Sequence, residues 1–499
     1  MSSHFPVLTL PVEITTAIFT FCLPTIEELH ENNIRRRDDA ETPPTLTAPN
    51  TLVECCRAWR DIAFATPSLW TTLPLCLKDT EFGDTFAALA ISRQRADEYV
   101  DRWLGRAGFQ PLTFIFCLVQ ELDYDDSGGH TPGHCIRGVI RRHADRLQHF
   151  DLDITATCFD IQIMDLNSIH FPLLQGAVLG NTDPNQDVAD ACEVFGNAPR
   201  LCEISLHPET WLLCYTLPWT QSTKYEGPIH DMSLFNLAPN LIEMKCFVWG
   251  TCGDMQTLVH ACLQSLDFFS ASYSTDIKWV LMQLTLPALT SLRISKPIAP
   301  GPLASCLERS TPPLQTLSLT LPLSVDTEGY ELGPWKPSFA SVAATLESLE
   351  LHSPSHDFLS EILHLTAPAD PFSLPCLKTL SVFDSPAVNY KELVAFLHRR
   401  STSTKLARLQ SLRLVYRPRV LLNEEELFEI PLGRRKLRLN ATDHMRRLAS
   451  EGMDVHIGSE KATLISFDKG VIFDAQPDGY DNGDDGGGKS AAQGHKSFT

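Results

Sequence analysis

Positive charge is what this chain has least of. Only 41 Lys and Arg stand against 61 Asp and Glu, a formal net charge of −20 over 499 residues. Phosphate contact needs clustered cations, so neither nucleic acid nor an anionic membrane is an expected partner. The two basic clusters, Arg35-Arg36-Arg37 and Arg434-Arg435-Lys436, are short, interleaved with acids or leucines, and read as solvated faces. No apolar run approaches the length of a membrane span. Met1 to Pro6 is short and polar, unlike the basic-then-apolar opening of a secretory signal. The 15 cysteines include no CxxC pair, and neither Cys55-Cys56 nor the step from Cys246 to Cys252 supplies zinc-ligand spacing. Reduced thiols in a cytoplasmic or nuclear protein follow, most of them acting as small buried hydrophobes.

Signatures of catalysis are missing too. There is no G-x-S-x-G elbow and no H-E-x-x-H zinc helix, and the 17 histidines are scattered. One motif imitates a phosphate loop, Gly483-Asp484-Asp485-Gly486-Gly487-Gly488-Lys489-Ser490. A working loop follows a buried strand and opens a helix, so that backbone N–H groups converge on phosphate. Here Val471-Ile472-Phe473 ends well before it, Ala491 to Gly494 opens no helix, and two aspartates would repel a nucleotide. No catalytic, cofactor-binding or metal-binding residue is assigned. The chain is read as a non-enzyme.

What is present begins in the first seventy residues. Leu10-Pro11-Val12-Glu13-Ile14 opens a helix with proline in its first turn and an acid at the positive end of the helix dipole. Ile14, Ile18 and Phe21 fall on one stripe, with Phe19 and Leu23 beside it, until Pro24 stops the helix. A second helix is predicted after Asn50 as N-cap, with Leu52, Cys55, Cys56, Trp59, Ile62 and Ala63 at helical spacing up to Thr66-Pro67. Leu69-Trp70 follow. Two such helices need a larger partner to cover their apolar faces.

These residues resemble the F-box, the helical module that docks an F-box protein onto the Skp-type adaptor of cullin–RING ubiquitin ligases. The matching positions are Leu10, Pro11, Glu13, Ile14, Ile18, Phe19 and Leu23, then Cys56, Arg57, Trp59, Arg60, Ile62, Ala63, Pro67, Leu69 and Trp70. A polar insertion over 25–49 separates the halves, as in large fungal F-box families. The resemblance implies an adaptor-binding surface built from Leu10, Pro11, Ile14, Ile18, Phe19, Leu23, Cys56 and Trp59.

Beyond it the pattern changes. A helix is predicted over Phe86 to Ala107, delivering a strand-like run from Pro111 to Leu118, and a helix near Cys135 to Ala144 delivers another. An apolar–x–x–apolar–x–apolar core then recurs as Leu147/Phe150/Leu152, Leu201/Ile204/Leu206, Leu263/Leu266/Phe268, Leu289/Leu292/Ile294, Leu314/Leu317/Leu319, Leu346/Leu349/Leu351, Leu377/Leu380/Val382 and Leu409/Leu412/Leu414. Weaker copies start at Leu174 and Leu241. This resembles a leucine-rich-repeat array, an irregular α/β solenoid. The Asn or Cys that the family often sets three residues past the last apolar position is replaced here by Thr155, Glu209, Pro297, Pro322, Pro354, Ser385 or Arg417.

The organisation expected is an F-box-like helical module over 1–75, a linker helix over 76–110, a leucine-rich-repeat-like solenoid over 111–420, a C-terminal cap over 421–473 and a disordered tail over 474–499. By resemblance, the chain is the substrate-recognition subunit of a Skp–cullin–F-box ligase: the helices hold the adaptor and the repeats hold a target protein. The alternative is a leucine-rich-repeat interaction scaffold outside the ubiquitin system. Alternating strand residues face away from the apolar core. Among them Phe269, Arg293, Phe383 and Arg413 are the candidate target-binding residues, because aromatics and arginines dominate protein interfaces.

Overall fold

The structure, a computed structural model, describes residues 10–26, 28–29, 48–79, 93–120, 133–154, 169–181, 192–193, 195–207, 215–249, 257–269, 277–321, 333–364, 374–384, 390–415, 446–458 and 463–466. Its backbone is a sheet of 15 strands, taken in chain order except for two small pairs set aside from it. We number them β1 (Thr72–Asp79), β2 (Leu112–Gln120), β3 (Leu147–Ile154), β4 (Gly176–Asn181), β5 (Glu203–Leu206), β6 (Lys224–Ile229), β7 (Glu243–Val248) and β8 (Ser265–Phe268). The series continues with β9 (Ser291–Ile294), β10 (Thr316–Thr320), β11 (Ser348–His352), β12 (Thr379–Phe383), β13 (Ser411–Val415), β14 (Asp454–Gly458) and β15 (Thr463–Ser466). Every neighbouring pair is parallel up to β14; β15 returns antiparallel.

Register explains the leucines. Leu266, Leu292, Leu317, Leu349, Leu380 and Leu412 form one row, and Phe268, Ile294, Leu319, Leu351, Val382 and Leu414 the next. All are buried. Each fully buried side chain of this size contributes about 1.5–3 kcal/mol, so the ladder of rows holds the repeats together. The helices behind the sheet supply the opposing surface: Leu303, Cys306 and Leu307 from Pro300–Ser310, Phe358, Leu359, Ile362 and Leu363 from His356–His364. Since the alternate strand residues are mostly Ser, Thr or charged, one face of the sheet is packed and the other is polar.

Turns are satisfied without the Asn or Cys ladder. The Ser353 N–H donates to Phe383 O at 2.8 Å and the Asp384 N–H to Val415 O at 2.9 Å, with both residues in the left-handed region (φ 56°). On the helix side, arginines take over. Arg309 donates to Leu281 O and Leu284 O, and Arg399 to Leu363 O. Arg400, 1% exposed, donates to Leu374 O, Leu377 O and Ala407 O. Its burial pulls the guanidinium pKa down to about 10, and its donors all reach carbonyls rather than an acid.

Several expectations are corrected. The expected linker over 76–110 begins as strand, because Leu73 and Leu75 are buried and Thr72–Asp79 pairs with β2 despite Pro74; helix follows only over Arg93–Arg106. Strand β6 carries no leucine; Tyr225 fills the inward position and Gly227, at φ 150°, lets the chain pass close to Leu206. The starts of β5, β6, β7 and β8 also lie too close in sequence for a full helix per repeat, so the linking elements there are a 3-10 turn at Trp219–Gln221 and the short helix Ser233–Leu237. Asp454–Gly458 lies inside the expected cap yet continues the repeat register, with Leu412 opposite Val455. The expected tail, its phosphate-loop-like motif, and the expected helix at Asn423 lie outside the described residues.

Candidate functional site

Two surfaces merit attention, one on the N-terminal helices and one on the polar face of the sheet. Helix α1 (Val12–Phe21) buries Thr15 and Phe19. Phe19 meets Trp59 edge-on with centroids 5.1 Å apart. The second predicted helix is two: α2 (Asn50–Cys55) and α3 (Arg57–Phe64). Cys56 breaks them with extended backbone, and its Sγ accepts the Trp59 N–H at 3.5 Å, capping α3; Asn50, the expected N-cap, is instead the first residue of α2, after Pro49. After Pro67–Trp70, the Trp70 indole donates to Ala63 O at 2.8 Å and its ring meets Trp103 at 4.9 Å. Trp103 in turn donates to Thr72 O at 3.1 Å, tying the helices to the first strand. Phe19, Leu52, Ala63 and Trp70 thereby join the same apolar core as Leu73 of β1.

The eight expected adaptor-binding residues therefore divide. Phe19 is wholly buried, and Leu23, Cys56 and Trp59 are half-buried, Leu23 and Trp59 against the core. Leu10, Pro11, Ile14 and Ile18 are exposed, and Val12 and Phe21 join them, Phe21 at 90% exposure. The spacing alone puts Phe19 beside this stripe; what it could not show is that Trp59 claims the Phe19 side. The insertion opens with a capped turn. Thr25 N–H donates to Glu28 and Glu28 N–H to Thr25 Oγ1, a reciprocal cap, and Leu29 is buried. Arg35 to Arg37 lie outside the described residues.

On the sheet, the polar row Glu226, Lys245, Asp267, Arg293, Ser318, Glu350, Ser381 and Arg413 runs across successive strands. Lys245 Nζ lies 2.6 Å from Glu226. Glu350 accepts from Ser318 Oγ at 2.9 Å, meets His352 Nε2 at 2.7 Å and has Arg293 at 3.8 Å. These contacts, the His352 bond first, hold its carboxyl below the usual range. Asp267 is the opposite case: burial raises its pKa, and its Oδ1 is buried with no hydrogen-bond partner among the described residues.

The four expected target-binding residues lie on this face, but not in one patch. Phe383 is 9% exposed, outside the core, and stacks flat on His352 at 4.6 Å. Arg413 and Arg293 are exposed. Phe269 is half-buried, edge-on to Phe247 at 5.2 Å, with Lys245 Nζ 5.4 Å from its ring centre. Phe247, wholly buried yet outside the core, and Trp249, 6.1 Å from it, extend this second aromatic group. Sequence reading missed both because Met244/Cys246 made a weak repeat copy. It missed Asp267 because an aspartate between two apolar residues looks like any solvated position.

Among the described residues no group of three or more His, Cys, Asp or Glu could hold a metal, and no helix is long and apolar enough to cross a membrane. The fold and surfaces define a leucine-rich-repeat-like α/β solenoid capped by N-terminal helices. No family model and no curated protein matches the chain. Among solved structures it is similar to an internalin from Listeria monocytogenes, at 11% identity over 78% of this chain and 96% of that one, with a TM-score of 0.25. At that score the likeness adds nothing to the fold read from the strands.

Proposed function

We propose that this chain is a recruitment subunit of a Skp–cullin–F-box ubiquitin ligase, holding a Skp-type adaptor through α1 and a target protein through the polar face of the sheet. One observation carries the reading. Helix α1 is anchored by Phe19 yet leaves Leu10, Val12, Ile14, Ile18 and Phe21 exposed. A helix that only capped the solenoid would have no use for a second apolar face, which costs solubility unless another protein covers it. The chain itself does no covalent chemistry in this reading. It contributes proximity, raising the effective concentration of the target near activated ubiquitin. Cytoplasm or nucleus is the matching compartment.

The second reading is an interaction scaffold outside the ubiquitin system, and Trp70 and Trp103 favour it in so far as they tie the helices to β1 as a cap. Co-purification separates the two. The full chain should capture a Skp-type adaptor, and the Leu10→Ala, Pro11→Ala double variant should lose capture while its urea midpoint stays put. If the unmutated chain captures none, the ligase reading fails and the scaffold reading replaces it.

A further inference from the structure

Arg309, Arg399 and Arg400 direct their donors at backbone carbonyls. Arg106, the last residue of the helix Arg93–Arg106, is held differently. Its guanidinium carbon lies 4.2 Å from the ring centre of Phe64 and 4.4 Å from that of Trp70, within cation–π range of both. The two rings are 5.7 Å apart, so the guanidinium rests against two walls at once. Among the described residues its nitrogens donate to nothing, and each is open to solvent. The charged or ionisable groups acting on it are Arg102 and Tyr99, with no carboxylate among them. Arg102 itself pairs with Glu98 at 3.7 Å.

Apolar surface adjoins this fork. Phe64 is 38% exposed, and Phe109, three residues past Arg106, is 100% exposed. Phe109 does not sit on a loose turn. Gly108, at φ 59°, reverses the chain, and the Gln110 N–H donates to Ala107 O at 3.2 Å. Arg146 then clamps Gln110 O through Nε at 3.2 Å and Nη2 at 2.9 Å. A ring held wholly in water contributes nothing to the hydrophobic stability of the fold.

A guanidinium fixed on aromatic rings, with open donors and no acid beside it, is complementary to a carboxylate, which accepts two parallel N–H bonds from the planar fork. A phosphate dianion would call for a second free cation, and Arg102 is already paired. We propose that Arg106, Phe64 and Phe109 form a docking site for an acidic segment of a protein partner. Arg106 takes one Asp or Glu side chain of that segment, and Phe109 takes the apolar residue next to it. The chain's net charge of −20 opposes such a segment only at long range, since salt screens it beyond about 8 Å under physiological conditions. The inference goes beyond the recruitment reading and holds for the ligase and scaffold readings alike.

The probe is a library of random peptides displayed on phage, cleared on the immobilised full-length Arg106→Gln variant and then captured on the unmutated chain. Survivors should carry Asp or Glu at one fixed position with an aromatic or aliphatic residue next to it. Changing that acid to its amide should weaken binding about tenfold, as expected for a charge-assisted contact. Phe109→Ser, at a site with no buried surface to lose, should weaken it by about the same factor. Arg200→Gln, which alters an exposed arginine elsewhere, should leave it unchanged. Urea midpoints report whether Arg106→Gln keeps its fold; where it does not, the clearing step is repeated on Phe109→Ser. The inference is overturned by an absence of survivors, by survivors without a fixed acid, or by equal binding of their amide forms. Full binding by Phe109→Ser, or tighter binding of a phosphoserine form, overturns it as well. Adaptor capture through α1 is read separately, so loss of one reading leaves the other intact.

Discussion

Two corners of one sheet face, built from the same strand pattern, end in opposite electrostatic states. Around Glu350 the carboxylate has a hydroxyl, an imidazole and a guanidinium within reach, and the neighbouring Phe383 is stacked by His352. Around Asp267, three strands away, one oxygen is buried and unbonded and Phe269 is half-open. Satisfied polar groups in a half-buried setting stiffen a structure, and unsatisfied ones weaken it. The contrast therefore separates a carboxylate whose partners support the fold from one that burial penalises without a compensating hydrogen bond.

The largest effect bears on the helix side of the stiffer half. Removing Arg400 in Arg400→Met deprives the Leu377 and Ala407 carbonyls of their donor and leaves Leu374 O only the Leu377 N–H at 3.3 Å. With these two acceptors left unsatisfied, about 3 kcal/mol of unfolding free energy should be lost, read as a shift in urea midpoint at constant slope. A change under about 0.5 kcal/mol would mean that the turns are satisfied in some other way.

Next, the two aromatics should part company. Phe383→Ala opens space beneath His352 and should cost about 2 kcal/mol, while Phe269→Ala, at a half-open site, should cost about half as much. Equal losses would erase the distinction between a closed and an open corner.

How much of this was legible beforehand differs by level. The inward leucine rows were readable because burial selects residue type at every second position. Phe269, Arg293, Phe383 and Arg413 were readable as outward for the same reason. What the sequence could not reveal was which outward residues cover one another: His352 over Phe383, and Trp59 against Phe19, depend on register and on helix docking. The break at Cys56 and the strand at Thr72–Asp79 were hidden too, because a cysteine is an unusual cap and Pro74 reads as an interruption.

The smallest expected effects carry the sharpest form of the comparison, through acid titration. The Glu350 carboxyl is held below its ordinary 4.5, chiefly by the His352 bond. Its contribution is complete above that value and is lost as pH falls through the lower folded-state pKa. Asp267 stands above its ordinary 3.8 because burial disfavours its charge. The folded state then binds its proton more tightly, so Asp267 supports the fold at low pH and that support disappears as pH rises through the raised value. The two substitutions should therefore act with opposite sign. Glu350→Gln should lower stability at pH 7 by about 1 kcal/mol and flatten the acid-side loss. Asp267→Asn should change stability at pH 7 by no more than about 0.5 kcal/mol, and in the stabilising direction, because it removes a charge that burial penalises. Urea midpoints for each variant at pH 3, 5 and 7, set against the unmutated chain, check both signs. A loss at pH 7 in Asp267→Asn as large as that in Glu350→Gln would show that Asp267 is a structural ion after all, held by Lys245 and Arg293 on the neighbouring strands.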